Sequence, residues 1–261
     1  MVKSFKEAGE IIQYKELLRN LVLMDIKKRY KRSALGFLWV MLDPLLMMTI
    51  FYAVFSGLFG ASVGNYTAYV MSGITMWQFF SQGTKIGSIA FISNRALINK
   101  LYLPKSIFPI SVVASSFVHF MFALIPLSVI IIVSGTHLSY SMLWLPLVVG
   151  LIFIFSLGVA LAVSTLAVFF HDVIYIYDVL LMAWMYFSAI FYPLSILPQK
   201  VQILMSLNPV YHYITLFRAC LYDATLPKTE HFALGAVFAV AAFLIGWSIY
   251  YRNKDRILFY L

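Results

Sequence analysis

Charged residues are scarce in this sequence: Asp, Glu, Lys and Arg make up 11% of its 261 residues, and the mean hydropathy is +0.90. A soluble domain carries about 25% charged residues, so the composition excludes an ordinary soluble enzyme and indicates a membrane protein.

Cysteine is almost missing as well. With Cys220 alone, an internal disulfide is excluded, and the sequence shows no Cys/His cluster with metal-ligand spacing.

The motifs of catalysis are also missing. The sequence contains no GxxxxGK[ST] phosphate-binding loop, no HExxH, no GxSxG and no pair of acids in a polar loop. His119 lies within an apolar segment, where it is either a proton relay or a neutral histidine bonded to a neighbouring helix. We therefore predict no catalytic residue, no metal and no cofactor in this chain.

The basic residues are concentrated at one place. The net charge is +9, and five cations lie between Lys27 and Arg32, directly before an apolar run that begins at Ala34. A nucleic-acid arm, a cleaved signal and a cytoplasmic membrane anchor are the alternatives. The anchor is favoured, because the cations adjoin an apolar run too long for a signal peptide and form no soluble basic face. No nucleic-acid partner is expected; membrane lipids are.

Upstream of this block, apolar residues at near-helical spacing predict an amphipathic N-terminal helix that lies in the membrane interface. A solvated helix is the alternative. The apolar residues concerned are Ile11, Leu18, Val22 and Ile26.

The apolar segments predict an all-α polytopic membrane protein with six transmembrane helices, since a span needs about 20 apolar residues. The predicted spans are 34–58, 66–91, 107–133, 141–169, 173–192 and 231–251. With both termini in the cytoplasm, 15 Lys and Arg residues lie inside and three outside, as the positive-inside rule requires. Residues 1–33 form a cytoplasmic segment, and residues 34–261 form the transmembrane domain.

The outer segment 193–230 is too apolar for a plain loop, and Asn208-Pro209 divides its apolar run into two pieces of about ten residues. Neither piece can cross a membrane alone. We therefore predict a re-entrant helical hairpin between the fifth and sixth spans, with a seventh span as the alternative.

Three ionisable residues lie at membrane depth near the inner side: Asp43, Lys85 and Asp178. Such residues are functional candidates, because burying a charge in the membrane is costly. Lys85 is expected to pair with Asp43 or Asp178, or to extend to the headgroups. Pro44 is expected to kink the first span.

Three stretches together resemble permease subunits of type-2 ABC exporters for polysaccharides, over nearly the whole chain. They are RNLVLMDIKKRYKRSALGFLWVMLDPLL (19–46), NRALINKLYLPKSIFPI (94–110) and FYPLSILPQKVQILMSLNPVYHYITLFR (191–218). In the first stretch the shared residues are Asp25, Lys27, Arg29, Tyr30, Ser33, Leu35, Gly36, Trp39 and Pro44.

This resemblance implies a homodimer that works with two copies of a separate ATPase, which binds ATP and Mg. It implies an inner-membrane exporter of lipid-linked polysaccharide, of O-antigen type, carried on a polyprenyl diphosphate. Teichoic acid or capsule export is the alternative; a drug or haem exporter and a secondary transporter are further ones. The inner loop 92–106 would couple to the ATPase through Asn94, Arg95, Leu97, Ile98, Lys100, Leu101, Tyr102 and Pro104.

Aromatic residues on three predicted spans are candidates for lining a glycan path, because sugar C–H groups stack on aromatic rings. Packing and membrane-interface belts are the alternative roles. The candidates are Tyr52, Phe55, Phe59, Trp77, Phe80, Tyr186, Phe187, Phe191 and Tyr192.

Overall fold

The computed structural model describes residues 13–100, 103–135 and 139–261, and the described part is helical throughout, with no β-strand. We number its α-helices in chain order. They are α1 Lys15–Arg29, α2 Trp39–Phe59, α3 Tyr66–Ser88, α4 Ala90–Ser93, α5 Arg95–Ile98, α6 Ile107–Val133, α7 Leu145–Phe169, α8 Asp172–Tyr186, α9 Gln199–Ser206, α10 Pro209–Leu221 and α11 Thr229–Tyr260. The all-α class predicted from the sequence is confirmed.

Four helical segments of the described chain are long and apolar enough to cross a membrane. They are Gly36–Phe59, Ile107–Val133, Tyr140–Phe169 and Thr229–Tyr260. They correspond to the predicted first, third, fourth and sixth spans. The predicted second span corresponds to α3, and the fifth corresponds to α8, which has 15 residues.

Helix α3 is the central helix of the subunit. It packs against α2, α6, α7 and α10, and it is buried along most of its length. Its buried hydroxyl groups donate to carbonyl groups of the same helix, for example Thr75 to Met71 at 2.8 Å and Thr84 to Phe80 at 2.8 Å. This local bonding lets a moderately polar helix lie in the core.

Helices α7 and α11 pack closely along their length because two glycines face each other. A Cβ atom built on Gly246 would lie 1.9 Å from the carbonyl oxygen of Gly158, and one on Gly158 would lie 2.3 Å from the backbone of Ala242. For Gly83 and Gly87 on α3, the atoms nearest to an added Cβ are side-chain atoms at 3.5 and 3.0 Å, and backbone atoms lie at 3.9 and 3.8 Å. The closest helix approach is therefore at Gly158 and Gly246.

The turn from α1 into α2 explains the Ser33-x-Leu35-Gly36 pattern. Gly36 has a φ of +52°, a conformation that favours glycine, and its N–H donates to Ser33 Oγ at 3.1 Å. The chain then continues through one turn of 3-10 helix, Gly36–Leu38, and α2 runs on without interruption through Pro44.

One predicted helix end is wrong. The fifth apolar segment was expected to be helical to residue 192, but α8 ends at Tyr186, and the chain turns through Ala189 with a φ of +50°. The last predicted span, 231–251, lies within α11, which continues to Tyr260.

The N-terminal helix has one face turned to the protein. Leu21 is buried, Leu18, Val22 and Ile26 are half-buried, and Asp25 accepts a hydrogen bond from Ser115 of α6 at 2.5 Å. The helical spacing of this apolar face is therefore as predicted, and it contacts α6. Ile11 lies outside the described residues.

Candidate transport path and coupling surface

Five of the predicted aromatic residues form one continuous row. Phe55 and Phe59 on α2 stack with ring centroids 6.0 Å apart, and each contacts the segment that follows α8. The other contacts are Phe55 to Phe191 (5.6 Å), Phe59 to Tyr192 (6.1 Å) and Tyr186 to Phe191 (6.0 Å). We call these five residues the aromatic row. It joins the second half of α2 to the end of α8.

The remaining aromatic candidates divide into two groups. Tyr52 and Phe187 are about half exposed, at 44% and 50%, as is Tyr186 of the aromatic row, at 48%. Trp77 and Phe80 are buried in the core, where Phe80 packs 5.1 Å from Trp184 of α8. Phe191, a member of the aromatic row, is buried too.

Three side chains hold the segment after α8 in place by bonding its carbonyl groups. The donors are Arg218 of α10 and Tyr66 and Tyr69 of α3. The bonds run from Arg218 to Ala189 and Ile190 (2.9 Å each), from Tyr66 to Phe191 (2.7 Å) and from Tyr69 to Tyr192 (2.9 Å). Arg218 is only 6% exposed, and its guanidinium also lies 3.5 Å from the centre of the Tyr69 ring. The sequence indicated Arg218 only as an outer-loop cation.

The Asn208-Pro209 step ends α9 and begins α10, as the sequence predicted. Asn208 Oδ1 accepts from the N–H of Val210 at 3.0 Å, which caps α10, and from the indole N–H of Trp184 at 2.7 Å. Its amide donates to the carbonyl of Phe187 at 2.5 Å. One side chain therefore joins the start of α10 to the end of α8.

The loop between α3 and α6 presents a small polar surface. Arg95, Asn99 and Lys100 are exposed, whereas Ile98 is buried at 4% and Pro104 is also buried. Leu97 is partly buried, and the Asn94 amide donates to the Ala90 carbonyl of its own helix at 2.8 Å. The exposed Arg95 and Lys100 are therefore open to contact with another protein, whereas the buried Ile98 and Pro104 pack inside the loop. Leu101 and Tyr102 lie outside the described residues.

The end of this loop is bonded to the last helix. Lys105 Nζ donates to the carbonyl of Lys254 at 2.7 Å, and the Tyr250 hydroxyl accepts from the N–H of Ser106 at 3.0 Å. The loop and the C-terminal part of α11 therefore form one surface.

Of the two partners that the sequence left open for Lys85, the structure shows Asp178. Lys85 Nζ lies 2.9 Å from Asp178 Oδ2, which joins α3 to α8. Asp43 instead accepts a hydrogen bond from the Gln78 amide at 3.0 Å.

A polar cavity of about 220 Å³ lies where α1, α2, α3 and α6 meet. His119 lines it and is 7% exposed, its ring is 5.6 Å from that of Tyr30, and neither ring nitrogen has a hydrogen-bond partner. The bond to a neighbouring helix, considered from the sequence, is therefore not seen. Of the polar lining residues, Asp43 was a candidate from the sequence, whereas Gln78, Gln82 and Ser116 were not. Helical spacing could have signalled them, since Gln78 and Gln82 lie one turn apart on α3, and Ser116 lies one turn before His119.

Within the described ranges, no three His, Cys, Asp or Glu side chains come together as metal ligands.

A family model described as "ABC-2 type transporter" matches residues 16–222 of the chain. The O-antigen export system permease protein RfbA of Klebsiella pneumoniae is 30% identical over 92% of this chain and 93% of its own length. The protein of the same name from Myxococcus xanthus is 28% identical over 95% of this chain and 96% of its own length. The polysialic acid transport protein KpsM of Escherichia coli is 22% identical over 91% of this chain and 93% of its own length.

Proposed function

The chain belongs to the ABC-2 type transporter family, and from this we infer that it is the permease subunit of a polysaccharide exporter. Its cargo, we propose, is an O-antigen-type glycan carried on a polyprenyl diphosphate. The observation that carries this proposal is the similarity to O-antigen export permeases over nearly the full length of both chains. A capsule-type glycan is the second candidate, supported by the more distant similarity to the polysialic acid transport protein.

Two helices support a path formed between two copies of the subunit. Among the residues of α2 only Val40 and Pro44 are buried, and among those of α8 only Tyr177 and Leu181 are. Their remaining surface is large and apolar, and in a membrane it faces lipid or protein. We propose that α2 and α8 of two copies face each other, with Tyr52, Tyr186 and Phe187 exposed to the glycan.

The proposed topology has six spans, with α3 and α8 as the two that are shorter or more polar. The central position of α3 supports a membrane-spanning role, because its polar groups bond within the helix. α9 and α10 would form the re-entrant hairpin on the outer side. Both termini would lie in the cytoplasm.

Energy would come from a separate ATPase, since the sequence has no phosphate-binding loop. We propose that two copies of this ATPase dock on the loop 92–106, where the exposed cations Arg95 and Lys100 meet acidic groups. The contact between this loop and α11 through Lys105 and Lys254 would carry the movement to the membrane helices.

The test is an export assay in cells that lack their own permease, with ATP hydrolysis measured on the co-purified complex. The double variant Arg95→Glu, Lys100→Glu is expected to lose the ATPase on purification and to stop export. The matched control reverses two cations of the outer segment, Lys200→Glu and Lys228→Glu, and should keep the ATPase bound. If the first variant retains a fully active ATPase, the docking surface is wrong.

The identity of the glycan is tested by supplying such cells with either an O-antigen or a capsule pathway. Surface glycan in the O-antigen strain alone supports the first cargo. Glycan only in the capsule strain would replace it with the second.

A further inference from the structure

The cavity around His119 lies beside the start of the apolar segment that leads into α2. Phe37 precedes α2, and its ring centre is 4.6 Å from that of Phe122 and 6.4 Å from that of His119 on α6. The apolar segment therefore begins beside the cavity. The basic block Lys27 to Arg32 lies directly before it in the sequence, and such blocks bind lipid headgroups at membrane surfaces.

One side of the cavity presents hydrogen-bond donors that have no acceptor. The hydroxyl of Ser116, which is 2% exposed, is buried without a hydrogen-bond partner, and the buried ring of His119, bonded to no other helix, can donate through one of its two nitrogens. Arg29 Nη2 is also buried without a hydrogen bond. Buried polar groups are nearly always satisfied in native proteins, so three such groups on one cavity indicate a missing occupant.

Arg29 is held in position by its neighbours. Its Nη1 donates to Gln82 Oε1 at 2.7 Å, and its Nη2 lies 3.9 Å from the carboxylate of Asp25, which is itself bonded to Ser115. The guanidinium of Arg29 is thus held among the residues that line the cavity, and a guanidinium is suited to bind a phosphate group.

The cavity also contains a carboxylate. Asp43 lines it from α2, bonded through one oxygen to Gln78. Gln78, which bonds to Asp43, and Gln82, which bonds to Arg29, lie one helical turn apart on α3, about 5.4 Å along the axis. Asp43 and Arg29 therefore contact successive turns of the same helix. Trp39 and Tyr30, which also line the cavity, can face a cation with their rings.

A ligand that pairs with both the donors and the Asp43 carboxylate carries a phosphate and an ammonium group, joined by a short link. A cavity volume of about 220 Å³ has room for one small headgroup. We propose that this cavity binds the phosphoethanolamine headgroup of a membrane phospholipid. The phosphate bonds to Arg29, Ser116 and His119, and the ammonium group bonds to Asp43.

This site serves a different purpose from the transport path, since its ligand is a lipid of the bilayer. A bound headgroup would fix α1 to α2, α3 and α6 at the inner membrane surface. The inference does not depend on which glycan is carried.

The test is lipid binding to the purified full-length protein, measured by native mass spectrometry with added dioleoyl lipids. Phosphatidylethanolamine carries the ammonium group, whereas phosphatidylglycerol has only the phosphate. We expect the protein to bind the first about tenfold more tightly, which is the effect of one added charge-assisted hydrogen bond. Equal affinity for the two lipids would overturn the proposal.

Two variants separate the two ends of the site. Asp43→Asn keeps the shape of the side chain and should reduce the tenfold preference to about one. Ser116→Ala should weaken the binding of both lipids by the same factor. The control is Asp178→Asn, which removes a carboxylate outside the cavity and should leave the preference intact. A preference that persists in Asp43→Asn would contradict the assignment of the ammonium group.

A third probe distinguishes a bilayer lipid from cargo. Undecaprenyl diphosphate has two phosphates and no ammonium group, so it should not displace phosphatidylethanolamine at equal concentration. If it displaces the lipid and its binding depends on Ser116, the cavity belongs to the cargo and the proposal is wrong.

Discussion

Lys85 Nζ lies 2.9 Å from Asp178 Oδ2, and this ion pair joins the central helix α3 to α8, a helix with only two buried residues. The two side chains remain partly exposed, at 57% and 38%, so the pair contributes modestly.

We predict a coupling energy of about 0.6 kcal/mol between Lys85 and Asp178, the average for polar interactions between membrane helices. It is measured by a double-mutant cycle of Lys85→Met and Asp178→Asn in thermal unfolding. A cycle of Lys85→Met with Asp43→Asn is the control and should show additive effects, because Asp43 bonds to Gln78 instead. Additive effects in the first cycle would contradict the pair.

Arg218 is expected to be the residue of the outer segment that matters most for stability. Its buried guanidinium satisfies the carbonyl groups of Ala189 and Ile190 and packs on the Tyr69 ring. Arg218→Lys keeps the charge but loses the planar fork, leaving buried acceptors unpaired. We expect a loss of about 3 kcal/mol in the free energy of unfolding.

The control for this variant is Arg256→Lys, at an exposed position near the C-terminal end of α11, where a change of under about 0.5 kcal/mol is expected. Similar melting temperatures for the two variants would show that the hydrogen bonds of Arg218 contribute little to the stability of the protein. Chemical or thermal unfolding in detergent measures both.

The long apolar helices could be predicted closely from the sequence. The third predicted span, 107–133, has the same bounds as α6, because its apolar run follows Pro104 and Lys105 and ends before Gly135. The end of α8 could not be predicted in this way. Residues 187–192 continue the apolar run, and the contacts that hold them in a turn come from Arg218, Tyr69 and Asn208, distant in the sequence.

In the candidate sites, too, features set by local sequence spacing could be predicted, and features set by contacts between distant segments could not. The aromatic row was indicated by the helical spacing of Phe55 and Phe59, whereas the burial of Trp77 and Phe80 depends on which face of α3 meets α7 and α8. The cavity around His119 takes residues from four helices. Helical spacing pairs Gln78 with Gln82 and Ser116 with His119, but only the packed structure shows that these pairs share one cavity with residues of α1 and α2.

Gly246 is predicted to be the glycine least tolerant of substitution. In Gly246→Ala the new Cβ would lie 1.9 Å from the Gly158 carbonyl oxygen, so α7 and α11 would have to separate. We expect a loss of about 3 kcal/mol in stability. Gly150→Ala on α7 is the matched control, since no atom lies within 4 Å of its added methyl group. The two melting temperatures are compared directly. Equal values would mean that the helix contact is looser than described.

Two copies of the chain are predicted to meet along α2. Val54 and Leu58 lie one turn apart on its exposed face, at 59% and 70% exposure. In a Cys220→Ser background, Val54→Cys is expected to form a disulfide-linked dimer on mild oxidation in membranes, seen as a band of twice the mass. Val240→Cys, on the exposed face of α11 at 53% exposure, is the control and should stay monomeric. Both positions are exposed valines in apolar helices, so random collision affects them alike. Cross-linking through α11 alone would place the subunit interface on that helix, and the path between two α2 helices would be wrong.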